Sequence, residues 1–292
     1  MPELPEVETT VRDLKKNILG RKIEGFWTDF KKIIKKPKKL EEFKKTITGR
    51  KIENVRRRGK NILIDLSGKK TLLIHQKLTG HLLYGIWSMR HGIWVPFEEG
   101  PFSDPINRFI HLVFKLNNGK MLALSDLRKF AKVELWERTE LENSKEFKNL
   151  GPEPLDKNFT FEKFKERLEK KKKGKIKQVL IDQVVIAGIG NIYSDEILWR
   201  AKIHPFKDIS KLSDNELKET YRVMREILPK AIKLGGESFS DFRRITGEKG
   251  YFDKERKVYR RAGEKCSRCG TVIKRLKIGG RSAHFCPACQ KG

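Results

Sequence analysis

The chain has 292 residues, with 66 Lys+Arg against 38 Asp+Glu and a formal net charge of +28 at pH 7. The length predicts two domains, and the charge disfavours a neutral scaffold or an ordinary small-molecule enzyme; a polyanion partner accounts for it, as does a genome biased to lysine. No run approaches the roughly 18 apolar residues of a membrane span, the start lacks the marks of a secretory signal, and all four cysteines lie between 266 and 289, which fits a reducing interior better than a distributed disulfide framework.

The first predicted element is a helix over residues 3–19. Val7, Val11, Leu14 and Ile18 form one apolar stripe, and Gly20 stops it. Pro2 and Glu3 stand at its start. Proline is the only residue whose freed backbone nitrogen is a secondary amine, and an uncoupled α-amino group titrates near about 7.7–8.0, so part of it is nucleophilic at neutral pH. Loss of Met1 exposes that amine beside Glu3 and Glu6. Taken alone, Pro-Glu at a terminus is more simply a frayed end.

Short β-prone segments follow at 22–30, 51–57, 61–66, 71–76, 109–116, 120–124 and 132–137. Ser67-Gly68-Lys69 and Asn117-Asn118-Gly119 supply hairpin-type turns. The lysine-rich run from Lys31 to Lys39 predicts a solvated loop. This half predicts a β-sandwich or flattened barrel behind one leading helix. Gly151-Pro152-Glu153-Pro154 breaks the pattern and places a boundary near 150–158.

The period then turns helical. Phe161, Phe164 and Leu168 mark one helix, 176–183 a short one, 191–200 a third, and 214–234 a long one. Ser213 and Glu216 form a capping box for the last, and Gly235-Gly236 follow it. Between the second and third, Gly188 and Gly190 permit close backbone approach, and Asn191 can cap the helix. Exposed N–H groups there suit a phosphate; an ordinary helix corner is the alternative.

Cys266-x2-Cys269, sixteen further residues, then Cys286-x2-Cys289 is the pairing of an all-thiolate structural zinc site. Two disulfides or an iron–sulfur centre are the alternatives. With four protein ligands the metal has no open position for chemistry. The hairpin between the pairs carries Lys274, Arg275, Lys277 and Arg281, which suits a nucleic-acid probe more than a solvated cap. The expected fold is α+β, with domains at 1–150 (β-sandwich with leading helix), 151–250 (helical) and 251–292 (zinc finger).

These segments together resemble the formamidopyrimidine-DNA glycosylase family, to which endonuclease VIII is related. The matching runs are MPELPEVE at 1–8, RRGKNILI at 57–64, LGPEPL at 150–155, AGIGNIYSDE at 187–196 and the closing GRSAHFCPACQ. The resemblance implies a helix–two-turns–helix domain with a zinc finger, and a monomer acting on double-stranded DNA that carries an oxidised base or an abasic site. It implies Pro2 as nucleophile, Glu3 as acid/base, and Lys60, Asn191 and Arg281 as phosphate contacts. Leu78 takes the place of a methionine that fills the space left by the damaged base. The resemblance also implies that Arg128 fills the gap opposite the orphan cytosine and that Phe130 stacks between bases. Lys129 and Ala131 depart from the family's arginine and glycine, which bears on lesion range more than on reaction class.

The chemistry closes on the residues themselves. An amine attacking C1′ of a deoxynucleotide forms an iminium, which acidifies the C2′ proton and lets the 3′ phosphate leave. Glu3 can shuttle the protons. Lys60, expected to titrate near about 10.4, is the poorer nucleophile and is assigned to phosphate. The base must first leave the stack, which calls for a wedge and a clamp. An enzyme for oxidised pyrimidines and a non-catalytic damaged-DNA binder are the competing expectations. His75 and His204 are expected to be structural.

Overall fold

The computed structural model describes residues 1–239 and 241–291. They divide into two units: Met1–Lys148 with Leu234–Asp253, and Asn149–Lys233 with the chain from Lys254 onward. Among the described residues no helix is long and apolar enough to cross a membrane.

In the first unit the apolar stripe of α1 (Leu4–Ile18) packs on a two-sheet sandwich. One sheet has four strands in the order β1 (Ile23–Thr28), β9 (Ile110–Leu116), β10 (Met121–Ser125), β6 (His81–Gly85). The other has five, in the order β2 (Ile34–Lys36), β11 (Lys132–Glu137), β5 (Lys70–His75), β4 (Asn61–Leu66), β3 (Ile52–Arg58). All pairings are antiparallel except β2 on β11. Val7, Val11, Leu14 and Ile18 meet Val55, Ile62, Ile64, Leu72 and Ile74 from one sheet and Leu112 and Phe114 from the other. Each such side chain contributes about 1.5–3 kcal/mol by leaving water.

Strand β4 is buried along its whole length because its sheet is covered on both faces. Leu63 and Leu73 point away from the sandwich and pack under Leu141 and Phe147 of the short helices α3 (Arg138–Asn143) and α4 (Lys145–Lys148). The outer face of the four-stranded sheet is covered likewise. There Leu83, Val113 and Ala123 meet Trp87 and Trp94 of a separate hairpin, β7 (Trp87–Arg90) and β8 (Ile93–Pro96).

The expected helix and seven strands are present, and several further elements are not the expected ones. The lysine run is no solvated loop: Ile33 and Ile34 enter the core and β2 forms an edge strand, with the Lys36 ammonium over the Trp136 ring at 3.5 Å. The alternation rule misses it because the three-residue edge strand contains a single apolar residue, Ile34. Helix α2 (Leu40–Ile47) buries only Phe43 and Ile47, too few to show a period.

The second unit contains α5 (Phe161–Glu169), α6 (Ile176–Ile181), α7 (Asn191–Arg200) and α8 (Asp214–Lys233), then the zinc-finger hairpin β12 (Lys274–Ile278) and β13 (Arg281–Phe285). The capping box of α8 forms as expected: Ser213 N–H donates to Glu216 Oε2 at 2.8 Å, and Glu216 N–H to Ser213 Oγ at 3.2 Å. Gly151 is dictated by space, since a Cβ there falls 2.6 Å from the Val185 backbone.

Candidate active site and nucleic-acid contacts

The helix start that the sequence singles out is buried. Pro2 is enclosed, and Glu3 and Glu6 are 2 % and 1 % exposed. Glu6 is the scaffold, a role the sequence does not advertise. Its Oε2 accepts from Glu3 N–H and its Oε1 from Glu237 N–H, both at 2.8 Å. Gly236 makes that second contact possible: its φ is +82°, and a Cβ there falls 3.0 Å from the Glu6 side chain. The turn after α8 therefore fixes the residue that fixes Glu3. In sequence Gly235-Gly236 reads only as a helix stop. With Met1 attached the Pro2 nitrogen is an amide; only removal of Met1 would leave a secondary amine there.

One turn further along α1, Glu8 holds the Lys60 hairpin. Its Oε2 accepts from Arg57 Nε at 2.9 Å, and Arg57 NH1 donates on to Gly59 O at 3.0 Å. Burial raises the Glu8 carboxyl, but the Arg12 and Arg57 guanidiniums outweigh it and hold it below the usual range. Gly59 takes φ +56° at the turn, and Lys60 is buried rather than an exposed strand lysine.

His75 ends β5 beside this lysine. Burial first, then the charges of Lys77, Lys132 and Lys60, push its pKa down to about 3. Its Nδ1 accepts from Lys77 N–H at 3.0 Å, so the neutral ring carries its proton on Nε2 and is a donor there. The ring is thus a neutral donor under the influence of three ammoniums, a setting the sequence reading of a structural histidine did not consider.

Beyond His75 the chain turns through Lys77 (φ 55°) and closes with Gly80 N–H on Gln76 O at 3.1 Å. Leu78, at the turn, is half-buried. The neighbouring loop presents Arg128 and Phe130 to solvent, Phe130 being 49 % exposed. The Arg128 guanidinium lies 4.6 Å from the Phe130 ring centroid. Neither residue belongs to the core, and among the described residues Arg128 has no carboxylate partner.

The second unit holds Asn191, Arg281 and the cysteines. Gly190, not Asn191, occupies the N-cap of α7; Asn191 is the first helical residue, and its Oδ1 is buried with no hydrogen-bond partner among the described residues. The N–H of Gly188 is not open to a phosphate either, because it donates to Gln183 Oε1 at 2.8 Å. Gln183 also donates to Ile181 O and Ile189 O, both at 2.8 Å, so it moulds the glycine corner that presents Asn191.

Asn191 and Arg281 are joined by a buried charged chain. The Lys177 ammonium, fully buried, bonds Asp195 and lies 3.4 Å from Asn191 O. The other Asp195 oxygen accepts from His284 N–H at 3.0 Å and contacts His284 Nδ1 at 2.9 Å. His284 lies on β13, the strand that Arg281 opens. Arg281 is exposed, as are Lys274, Arg275 and Lys277 on the facing strand.

The four cysteine sulfurs lie within 4.8 Å of one another. Cys266–Cys289 is 4.0 Å, Cys269–Cys286 3.4 Å and Cys269–Cys289 3.3 Å. Sulfurs about 2.3 Å from a central zinc stand about 3.8 Å apart, so the cluster fits one tetrahedral zinc. Burial and its thiol neighbours push Cys289 up to about 12, a penalty that a central dication reverses. Trp199 Nε1 donates to Cys266 Sγ at 3.4 Å, a second layer that orients a ligand.

Residues 1–133 match the formamidopyrimidine-DNA glycosylase N-terminal domain, 150–243 the formamidopyrimidine-DNA glycosylase H2TH domain, and 263–292 a zinc finger found in FPG and IleRS. The chain is 40% identical to a formamidopyrimidine-DNA glycosylase of Pelotomaculum thermopropionicum over 100% of this chain and 99% of that protein. It superposes on a Lactococcus lactis FPG mutant in complex with Fapy-dG containing DNA, with TM-score 0.87, 36% identity and 100% of each chain covered. It superposes also on the Lactococcus lactis Fpg in complex with an abasic site containing DNA, with TM-score 0.86, 36% identity and coverage of 99% of this chain and 100% of that one.

Proposed function

The chain belongs to the formamidopyrimidine-DNA glycosylase family, and we propose that its chemistry runs through the Pro2 amine once Met1 has been removed. It is a DNA glycosylase for oxidised purines with the AP lyase activity general to that family. One structural zinc holds its knuckle and supplies no step of the reaction. The observation that carries the mechanism is the buried start of α1, where Glu6 accepts from Glu3 N–H beside Pro2 and is itself held by Glu237 N–H, each at 2.8 Å.

The Pro2 lone pair attacks C1′, the oxidised base leaves with the glycosidic electron pair and takes up a proton, and the Pro2 nitrogen gives up its own proton. Glu3 protonates the ring oxygen, so the sugar opens to a Pro2 iminium. Removal of the C2′ proton expels the 3′ phosphate, and a second elimination expels the 5′ phosphate. A secondary amine suits this, because its iminium has no N–H to lose and stays cationic. Residues 1–150 carry this chemistry, with Glu237 of 151–250 holding Glu6, and 151–250 and 251–292 otherwise grip DNA. Lys60, Asn191 and Arg281 bind phosphates; Leu78, Arg128 and Phe130 fill the space left by the extruded nucleotide, which costs a few kcal/mol to create. The site of action is chromosomal DNA in the cytoplasm.

Borohydride reduction on a duplex with 8-oxoguanine opposite cytosine tests this. The expected product is a covalent adduct that maps to Pro2. A protein extended by one residue before Pro2 should fold and bind but form none. Absence of the adduct, or its location at Lys60, overturns the mechanism.

A further inference from the structure

Two loops of the first unit are fastened to one buried carboxylate. Asp126 is fully buried. Its Oδ1 accepts from the Thr79 hydroxyl and from Arg128 N–H at 3.3 Å, and its Oδ2 accepts from Ala131 N–H at 2.7 Å. Thr79 Oγ1 in turn accepts from Arg128 N–H at 3.1 Å. Among the described residues no Lys or Arg side chain is bonded to Asp126, so donors from these two loops satisfy its oxygens. A buried carboxylate is costly unless its hydrogen bonds are complete. Gly80 is dictated by space between the two loops: a Cβ there would fall 2.5 Å from Gln76 O and 3.3 Å from the Ala131 Cβ.

We propose that Thr79 and Asp126 are a positioning pair that makes the Leu78 turn and the Arg128–Phe130 loop one mechanical unit, so that occupying the vacated stack and reading the opposite base are coupled. This rests on the assignment of Leu78, Arg128 and Phe130 under the proposed function. Neither residue of the pair reacts. Thr79 sits next to Leu78, and the Arg128 N–H that it accepts sets where the guanidinium starts. Loss of the hydroxyl leaves one Asp126 oxygen short of its strongest donor and frees the two loops from each other.

Thr79→Val removes the donor at nearly constant volume. The expected result is a roughly tenfold fall in the kcat/KM ratio for 8-oxoguanine opposite cytosine over opposite adenine, the scale of one hydrogen bond to a charged group. Thr79→Ser restores the ratio. Thr79→Val added to Arg128→Ala lowers the ratio no further than Arg128→Ala alone. Borohydride trapping of a single-stranded abasic oligonucleotide, which has no opposite base, stays within about twofold of wild type. A wild-type ratio in Thr79→Val, or an equal loss on all substrates including the single strand, overturns the coupling. Failure of the wild-type protein to trap at Pro2 instead overturns the proposed function, so the two failures are distinct.

Discussion

The start of α1 and the zinc knuckle both carry charge, and they hold it in opposite ways. At α1 the carboxylates of Glu3 and Glu6 are almost wholly buried, and Glu6 has each oxygen committed to a backbone N–H. At the knuckle Lys274, Arg275, Lys277 and Arg281 are exposed. The contrast fits the work proposed for each. A proton shuttle needs a fixed distance and a dry setting, where an uncompensated displacement is expensive. A phosphate clamp needs a hydrated cation that gives up its water and counterions only on contact.

Removing the metal should separate the two regions most sharply. Chelation, or Cys289→Ser, is expected to weaken binding to an abasic duplex on the order of 100-fold, because the knuckle that carries Arg281 loses its tether. At saturating DNA the yield of borohydride-trapped Pro2 should change far less. Fluorescence anisotropy and gel quantitation read the two effects. Equal losses in both would erase the distinction between a chemical end and a gripping end.

Glu6→Gln strikes the other region. Its amide keeps one acceptor but turns an N–H toward another N–H, at about 1–3 kcal/mol. If that falls on the transition state, kcat drops roughly 5- to 150-fold, while Kd for an uncleavable abasic analogue stays within about threefold. A change confined to Kd would make Glu6 part of the grip instead.

How legible these regions were in the sequence differs for physical reasons. The cysteine spacing, the α1 stripe, the boundaries of α7 and the capping box of α8 are local patterns, and each appears where its pattern lies. Glu6 was visible only as a neighbour of Pro2, because its partner Glu237 is 231 positions away and no local rule links them. Gln183 is near in sequence, five residues before Gly188, yet no local pattern marks a glutamine side chain as the acceptor of the Gly188 N–H that suits a phosphate. The β7–β8 hairpin escaped because Trp87 and Trp94 cover an outer sheet face, which cannot be known before the sheet is. The family resemblance supplied roles for Leu78 and Arg128, yet not the Thr79–Asp126 link between them.

A smaller effect is expected from Arg281→Ala. An exposed guanidinium that meets one phosphate contributes to every sequence alike. Affinity should fall about tenfold at low salt for lesion and undamaged duplex together, and the slope of log K against log salt should shrink by about 1. A loss restricted to lesion DNA would show that the knuckle discriminates rather than merely holds.

The smallest effect is a pH signature of the lysine-ringed corner in the first unit. His75 has a folded pKa of about 3 against an ordinary 6.5. Above pH 6.5 both states of the protein leave it neutral, and it takes nothing from stability. Below 6.5 the unfolded chain binds a proton that the folded chain refuses, so stability falls with falling pH by at most about 1.4 kcal/mol per unit from this residue. His81 and His204 are lowered by burial too, so His75 is one of three such contributions. Carboxylates held low by cations, such as Glu8 and Asp104, lose their contributions only as pH enters the carboxylate range. The window between pH 6.5 and 5 therefore isolates the histidines. His75→Gln keeps a donor near Lys60 but has no proton to gain, so its urea midpoint should decline less steeply than wild type across that window. An unchanged slope would mean that His75 can accept a proton in the folded protein, and then its ring could not be the neutral donor that this corner requires.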